Sequence, residues 1–146
     1  MANYQTSAAA IIPTQTKREQ DFVLRRLHSD PGPSIVRALK KEGLQWEGPA
    51  ADEIEAQADF GIYLYSYECL DVDRIIWVVA EWQRHFEITQ AWSMEWANTC
   101  DKGRLGAFGG GAAIVYLGNV EWLNTTLWVM NKAHELGVSL DGVTCG

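Results

Sequence analysis

Trp92, Met94 and Trp96 alternate with Ser93, Glu95 and Ala97. Successive side chains on a strand point to opposite faces, so this period of two predicts a half-buried strand with a large apolar side, read over residues 91–99. The strand leads into a polar loop holding Asn98, Cys100, Asp101, Lys102 and Arg104, and the loop closes on Gly109, Gly110 and Gly111. Reactive and flexible residues thus stand beside two large aromatics. The stretch matches no catalytic motif with known mechanics.

The elements around it set the fold class. Residues 60–69 read as a strand, with Phe60, Ile62 and Leu64 on one face and Tyr63, Tyr65 and Tyr67 on the other. Asp71 or Asp73 caps a helix whose stripe is Val72, Ile75, Ile76, Val79, Trp82 and Phe86. Ala112 to Leu117 is apolar on both faces and so belongs in the middle of a sheet. Gly118-Asn119 reads as a turn into a short strand, Val120 to Leu123. Asn124 or Thr125 then caps a last helix over residues 125–136, which stops at Gly137. The order βαβββα predicts an α+β fold, a two-layer sandwich related to ferredoxin-like units, preceded by two short helices. The tyrosines then lie away from the helices, on a face that the N-terminal helices, a second subunit or a partner must cover.

The N-terminal part is less patterned. Residues 1–15 read as a flexible arm ending near Pro13, and residues 16–59 as a helical extension and linker. A helix runs from about Gln15 to Leu27. Ser29-Asp30-Pro31-Gly32-Pro33 breaks it, and Ser34 caps a short helix through Lys41. Asp52 to Asp59, with its carboxylates, reads as a solvated helical turn. The α+β core then spans residues 60–137, with a tail at 138–146.

Composition narrows the function classes. A chain of 146 residues suffices for one domain with its own core. Residues 1–50 carry seven basic and five acidic side chains, residues 51–146 five and fourteen, within a net charge of −7. The acidic portion repels nucleic acid and anionic membranes. Lys17, Arg18, Arg25, Arg26, Arg37, Lys40 and Lys41 invite a helix-turn-helix reading, but the SDPGP linker is longer and stiffer than that motif's turn. Nucleic acid is therefore set aside as a partner. The run Ala8 to Ile12 is too short to span a bilayer, and no basic segment precedes it. Three cysteines without CxxC spacing argue against a zinc ribbon or disulfide framework and for a cytoplasmic home. His28, His85 and His134 are isolated. Neither a metal nor a cofactor is expected.

Four constellations carry candidate chemistry. The three glycines read either as an anion cradle or as backbone bent or packed against a tryptophan. They run from a loop into a strand rather than into a helix, which favours packing. Cys100, near Lys102 and Arg104, has the cationic company that favours a thiolate, with His85 or His134 as its base; a small buried thiol is the plainer alternative. Glu68 and Glu95 form a carboxylate pair if their strands are neighbours, and are otherwise solvated. Asn98, Asp101, Lys102 and Arg104 form a polar cluster fit either to fork onto a partner's carboxylate or phosphate, or to knit a turn.

Trp96-Ala97-Asn98-Thr99-Cys100, Lys102-Gly103-Arg104, Phe108 to Ala112, and Asn124-Thr125 with Trp128 together make a recognisable string. It resembles a pattern in a family of small uncharacterised proteins of bacteria, phages and plasmids, in which a proline often stands at the place of Gly103. The resemblance covers roughly residues 60–136. It implies an accessory role in a phage or mobile element, and no reaction. The expected function is a non-enzymatic protein-binding module using the 98–111 loop and exposed aromatics. Its candidate binding residues are Glu95, Trp96, Asn98, Cys100, Asp101, Lys102, Arg104, Gly109, Gly110 and Gly111. The alternatives are a site for a phosphorylated metabolite or nucleotide, or an unrecognised enzyme, at Glu95, Cys100 and Arg104, and a homodimeric structural protein.

Overall fold

The computed structural model describes residues 4–28, 48–100 and 109–139, with Arg37, Lys40 and Lys41. Its strands are β1 (Tyr4–Ile12), β2 (Glu53–Ala56), β3 (Ile62–Ser66), β4 (Trp92–Cys100), β5 (Gly109–Tyr116) and β6 (Asn119–Asn124). They form one six-stranded sheet in the order β2-β3-β1-β4-β5-β6, every adjacent pair antiparallel. The helices with described bounds are α1 (Lys17–Leu27), α2 (Val72–His85) and α3 (Thr125–Leu136). The chain is thus a mixed α+β fold, and from β3 onward its elements follow the βαβββα order of the sequence pattern. Of the short helix expected through Lys41, only Arg37, Lys40 and Lys41 are described, with helical backbone.

Two N-terminal expectations are corrected. The segment read as a flexible arm is β1, an inner strand. It pairs with β4 from Tyr4↔Cys100 to Ser7↔Ala97, and with β3 from Ala8↔Ser66 to Ile12↔Ile62. Its run of alanines has little strand propensity and carries no turn signal, so pattern alone does not reveal it. The ladders on either side supply the stabilisation that propensity does not. The segment read as a solvated helical turn contains β2, which pairs with β3 through Ile54↔Leu64. Exposed Glu53 and Glu55 flank half-buried Ile54, the charged pattern that protects a sheet edge from further pairing.

β3 and β4 run in the same direction, joined by α2, and β1 lies antiparallel between them. The sheet therefore differs from the expected ferredoxin-like unit: it has six strands and draws an inner one from the N-terminus. Ile12, Ile62, Leu64, Trp92, Met94, Ala113 and Val115 point to the face where α1 and α2 pack, and form one core with Val23, Leu27, Ile75, Val79 and Trp82. Tyr63 and Tyr65 lie on the opposite face, as the strand pattern predicts, and are half-buried. Leu117 (φ +53°) and Gly118 (φ +77°) make the β5–β6 turn, one residue earlier than Gly118-Asn119. Two successive positive φ values give the type I′ twist that matches paired strands.

Polar side chains lock the helices in place. Thr16 caps α1 by accepting from the Glu19 N–H at 3.1 Å, while the Glu19 carboxylate accepts from the Gln15 N–H and the Thr16 hydroxyl, a capping box. The other Glu19 oxygen accepts from Trp82 Nε1 at 2.9 Å and ties α1 to α2. Gln83 donates to the Val115 carbonyl at 2.9 Å and accepts from the Gly118 N–H at 3.0 Å, which fixes α2 to the β5–β6 turn.

Arg74, only 2% exposed, does the same at the other end of α2. Its guanidinium donates to the carbonyls of Arg26, Leu27 and His28, which α1 leaves unpaired at its C-terminus, and to that of Gly48. Burial pushes its pKa down to about 10, with Asp71 opposing, so it stays charged at neutral pH. Arg74→Met removes the side-chain donor from these carbonyls, leaving the Leu27 carbonyl its bond from the Ala50 N–H and those of Arg26 and Gly48 without this partner in half-buried places. It is expected to cost about 3 kcal/mol or more in urea unfolding, because each buried unsatisfied group costs about 1–3 kcal/mol. Arg74→Lys should recover only part of the loss, since an ammonium lacks the planar fork.

Candidate functional site

The alternation of β4 sorts the expected site residues. Trp92, Met94, Trp96, Asn98 and Cys100 point to the helix-bearing face; Ser93, Glu95 and Ala97 point to the other and are exposed. Trp92 is buried and donates from Nε1 to the Ile11 carbonyl at 2.8 Å. Asn98 accepts from the Thr6 hydroxyl at 3.3 Å across the β1–β4 pair. Cys100 is half-buried and in no disulfide. Asp101, Lys102 and Arg104 lie outside the described residues.

Gly109, Gly110 and Gly111 open β5, opposite Asn98, Ala97 and Trp96. A Cβ on Gly111 would fall 2.6 Å from Trp96 Cε2 and 2.7 Å from the Leu123 carbonyl oxygen. The Trp96 indole lies directly over this backbone. A Cβ on Gly110 would overlap the Trp96 carbonyl, and the Gly110 N–H is already donated to the Thr125 hydroxyl at 2.9 Å. Two of the three glycines thus sit where the backbone packs closely, Gly111 against the Trp96 indole and Gly110 against the Trp96 carbonyl.

This packing brings a second tryptophan to the first. From the Leu117-Gly118 turn, the β5–β6 register sets Trp122 opposite Ala113, on the same face as Trp96, which sits opposite Gly111. The two rings meet edge to face, with centroids 6.1 Å apart and planes at 72°. Trp122 remains 51% exposed. Together they form one wall of a groove of about 630 Å³. Asn98 and Asn124 continue that wall, and the other is the start of α2, with Glu68, Leu70, Asp71 and Asp73. Asp71 accepts from the Arg74 N–H at 3.1 Å as the helix cap, while Glu68 and Asp73 are exposed. An open trough of indole faces and carboxylates suits a cationic head on an apolar stem.

Trp96 and Asn98 therefore belong to one site, and Glu95 does not join them. It lines a smaller hollow of about 360 Å³ on the opposite face, with Ser93, Ile114 and Glu121. Glu68 and Glu95 are on different faces and form no acid–base pair. His85 stacks on Phe22 of α1 with ring centroids 4.7 Å apart, and His134 is exposed on α3. No group of three or more metal-binding side chains is found among the described residues, and no described helix is long and apolar enough to cross a membrane. Trp122, Asp71 and Asp73 were not among the expected site residues. Counting outward from the β5–β6 turn is the signal that finds Trp122; the approach of α2 to β4 and β6 has no local signature. No protein-family model, curated protein or solved structure matches this chain.

The Trp96–Gly111 contact is testable. Gly111→Ala is expected to cost about 1–3 kcal/mol, the usual cost of overpacking. Combining it with Trp96→Ala removes the ring but not the Leu123 carbonyl, so the double variant should lose less than the sum of the two, with a coupling of about 0.5–3 kcal/mol. Urea unfolding of the four chains measures this. Additive losses would mean that the indole does not lie over Gly111.

Proposed function

We propose that this chain is a small acidic accessory protein of a phage or mobile element that works in the cytoplasm as a non-enzymatic binding module. Its partner is a protein that offers a lysine or arginine, flanked by apolar residues, to the groove between β4, β6 and α2. The observation that carries this reading is the edge-to-face pair Trp96–Trp122 facing Glu68 and Asp73 across an open trough. Indole faces attract a cation, and two exposed carboxylates raise its local concentration. The same carboxylates oppose a phosphorylated metabolite or nucleotide, so a protein partner fits this groove better than those ligands. The likeness of the WANTC and FGGGA strings to phage and plasmid proteins supports the origin, and three cysteines without CxxC spacing support the compartment.

Selection from a random peptide library tests this directly. Peptides with one basic residue among apolar ones should be enriched and should shift the tryptophan emission. Their affinity should fall about 10-fold with Trp122→Ala, from loss of a cation–π contact worth up to ~2 kcal/mol. It should fall less with Asp73→Asn, and should weaken with added salt. Enrichment of acidic peptides, or binding indifferent to Trp122, would refute the reading.

A further inference from the structure

α3 departs from the other two helices in its surface. α1 and α2 each bury one face and, apart from Glu19 and Arg74, keep their charges on the other, whereas α3 carries Leu127, Trp128, Val129 and Met130 in succession and buries only Ala133. Four consecutive positions turn through the whole circumference of a helix, so the turn Leu127–Met130 is apolar all round, and polar residues return only at Asn131, Lys132, His134 and Glu135. Leu127 is 55% exposed, Trp128 54%, Met130 53% and Leu136 68%. A helix of that kind is ordinarily covered.

We infer that α3 is the contact face between two copies of this chain, a proposal that goes beyond the groove and concerns a different surface. Area and charge both point to this occupant. A standard interface takes about 800 Å² from each partner, about two-thirds of it apolar in homodimers. Leu127, Trp128, Val129, Met130, Leu136 and Val138, each 40% exposed or more, present on the order of 500–600 Å² of apolar surface per copy, by the typical areas of such side chains. That is the order of apolar area a protomer must supply, provided the partner copy wraps most of α3 rather than touching one side of it. Two chains that each carry a net charge of −7 repel, so they meet only where the surface is locally neutral. α3 is such a place: among its twelve residues Lys132 and Glu135 are the charged ones, and they pair with each other at 2.9 Å. A two-fold axis beside α3 sets the same apolar patch against itself, the isologous arrangement of most dimers.

Sedimentation velocity on the full chain over a concentration series tests this without any partner protein. The expected mass is twice 16.3 kDa at tens of micromolar, dissociating on dilution. Trp128→Glu with Met130→Glu should weaken association at least 100-fold, with helical circular dichroism retained. Should that variant misfold, hydrogen exchange on the unaltered chain gives the second reading: amides of residues 125–136 should exchange faster on dilution, while those of β4 do not. A monomer at every concentration overturns the proposal, whether another segment of the chain or another protein covers α3. A dimer with α3 exchange independent of concentration overturns it too and places the contact elsewhere. Groove variants such as Trp122→Ala should leave the dimer intact, so peptide binding and self-association fail separately.

Discussion

The sheet depends on one strand that serves two neighbours. β1 gives its first half, Tyr4 to Ser7, to β4 and its second half, Ala8 to Ile12, to β3. β3 and β4 run the same way and are joined by α2, so an antiparallel ladder cannot pair them with each other. Instead of pairing in a parallel ladder, they take a strand from the N-terminus between them. One side-chain bond and one backbone bond reinforce the junction. Trp92 donates to the Ile11 carbonyl at 2.8 Å, and the Thr6 N–H donates to the Glu68 carbonyl at 3.1 Å. Removing β1 would leave a two-stranded ribbon on one side and a three-stranded ladder on the other, with the core residue Ile12 lost from between them.

The groove inherits its shape from that junction. Thr6 holds Asn98 on one side and the segment before α2 on the other, so β1 sets the distance between the two walls. The glycines set the depth. Without a Cβ at Gly111, the Trp96 ring lies on the strand rather than standing off it, and Trp122 from β6 can meet its edge. Bulk at Trp96 and its absence at Gly111 are two halves of one feature. The tryptophan wall of the groove is accordingly built on paired strands, which hold side chains more firmly than a loop does.

The sequence revealed most where side-chain periods were strong. The alternation in β4, the stripe of α2, the Asn124 cap and Gly137 stop of α3, and the order of elements from β3 onward were all readable, because large apolar side chains mark their own faces. The β1 strand escaped because Ala8, Ala9 and Ala10 mark no face. β2 escaped because edge-protecting glutamates look like a solvated turn. For the site, the pairing of glycine backbone with tryptophan was among the readings the residues allowed, and Trp96 and Asn98 fall in the groove. Glu95 lies outside the groove for a reason the strand period already contains: one residue from Trp96 on a strand means the opposite face. The carboxylate wall at the start of α2 depends on tertiary approach alone, which no local pattern encodes.

On the proposed readings, charge and apolar surface divide the molecule between two tasks. Carboxylates gather at the groove, where a basic partner would be drawn in, and are sparse on α3, where a second copy of the same acidic chain would dock. Both tasks presuppose that the N-terminal segment is an inner strand. Native-state hydrogen exchange of the β1 backbone amides tests that most directly. The paired amides of Tyr4 to Ile12 should exchange as slowly as those of β4 and β5, opening only with global unfolding. Exchange near the unprotected rate in β1, with β4 and β5 still protected, would show a loose arm and contradict the account.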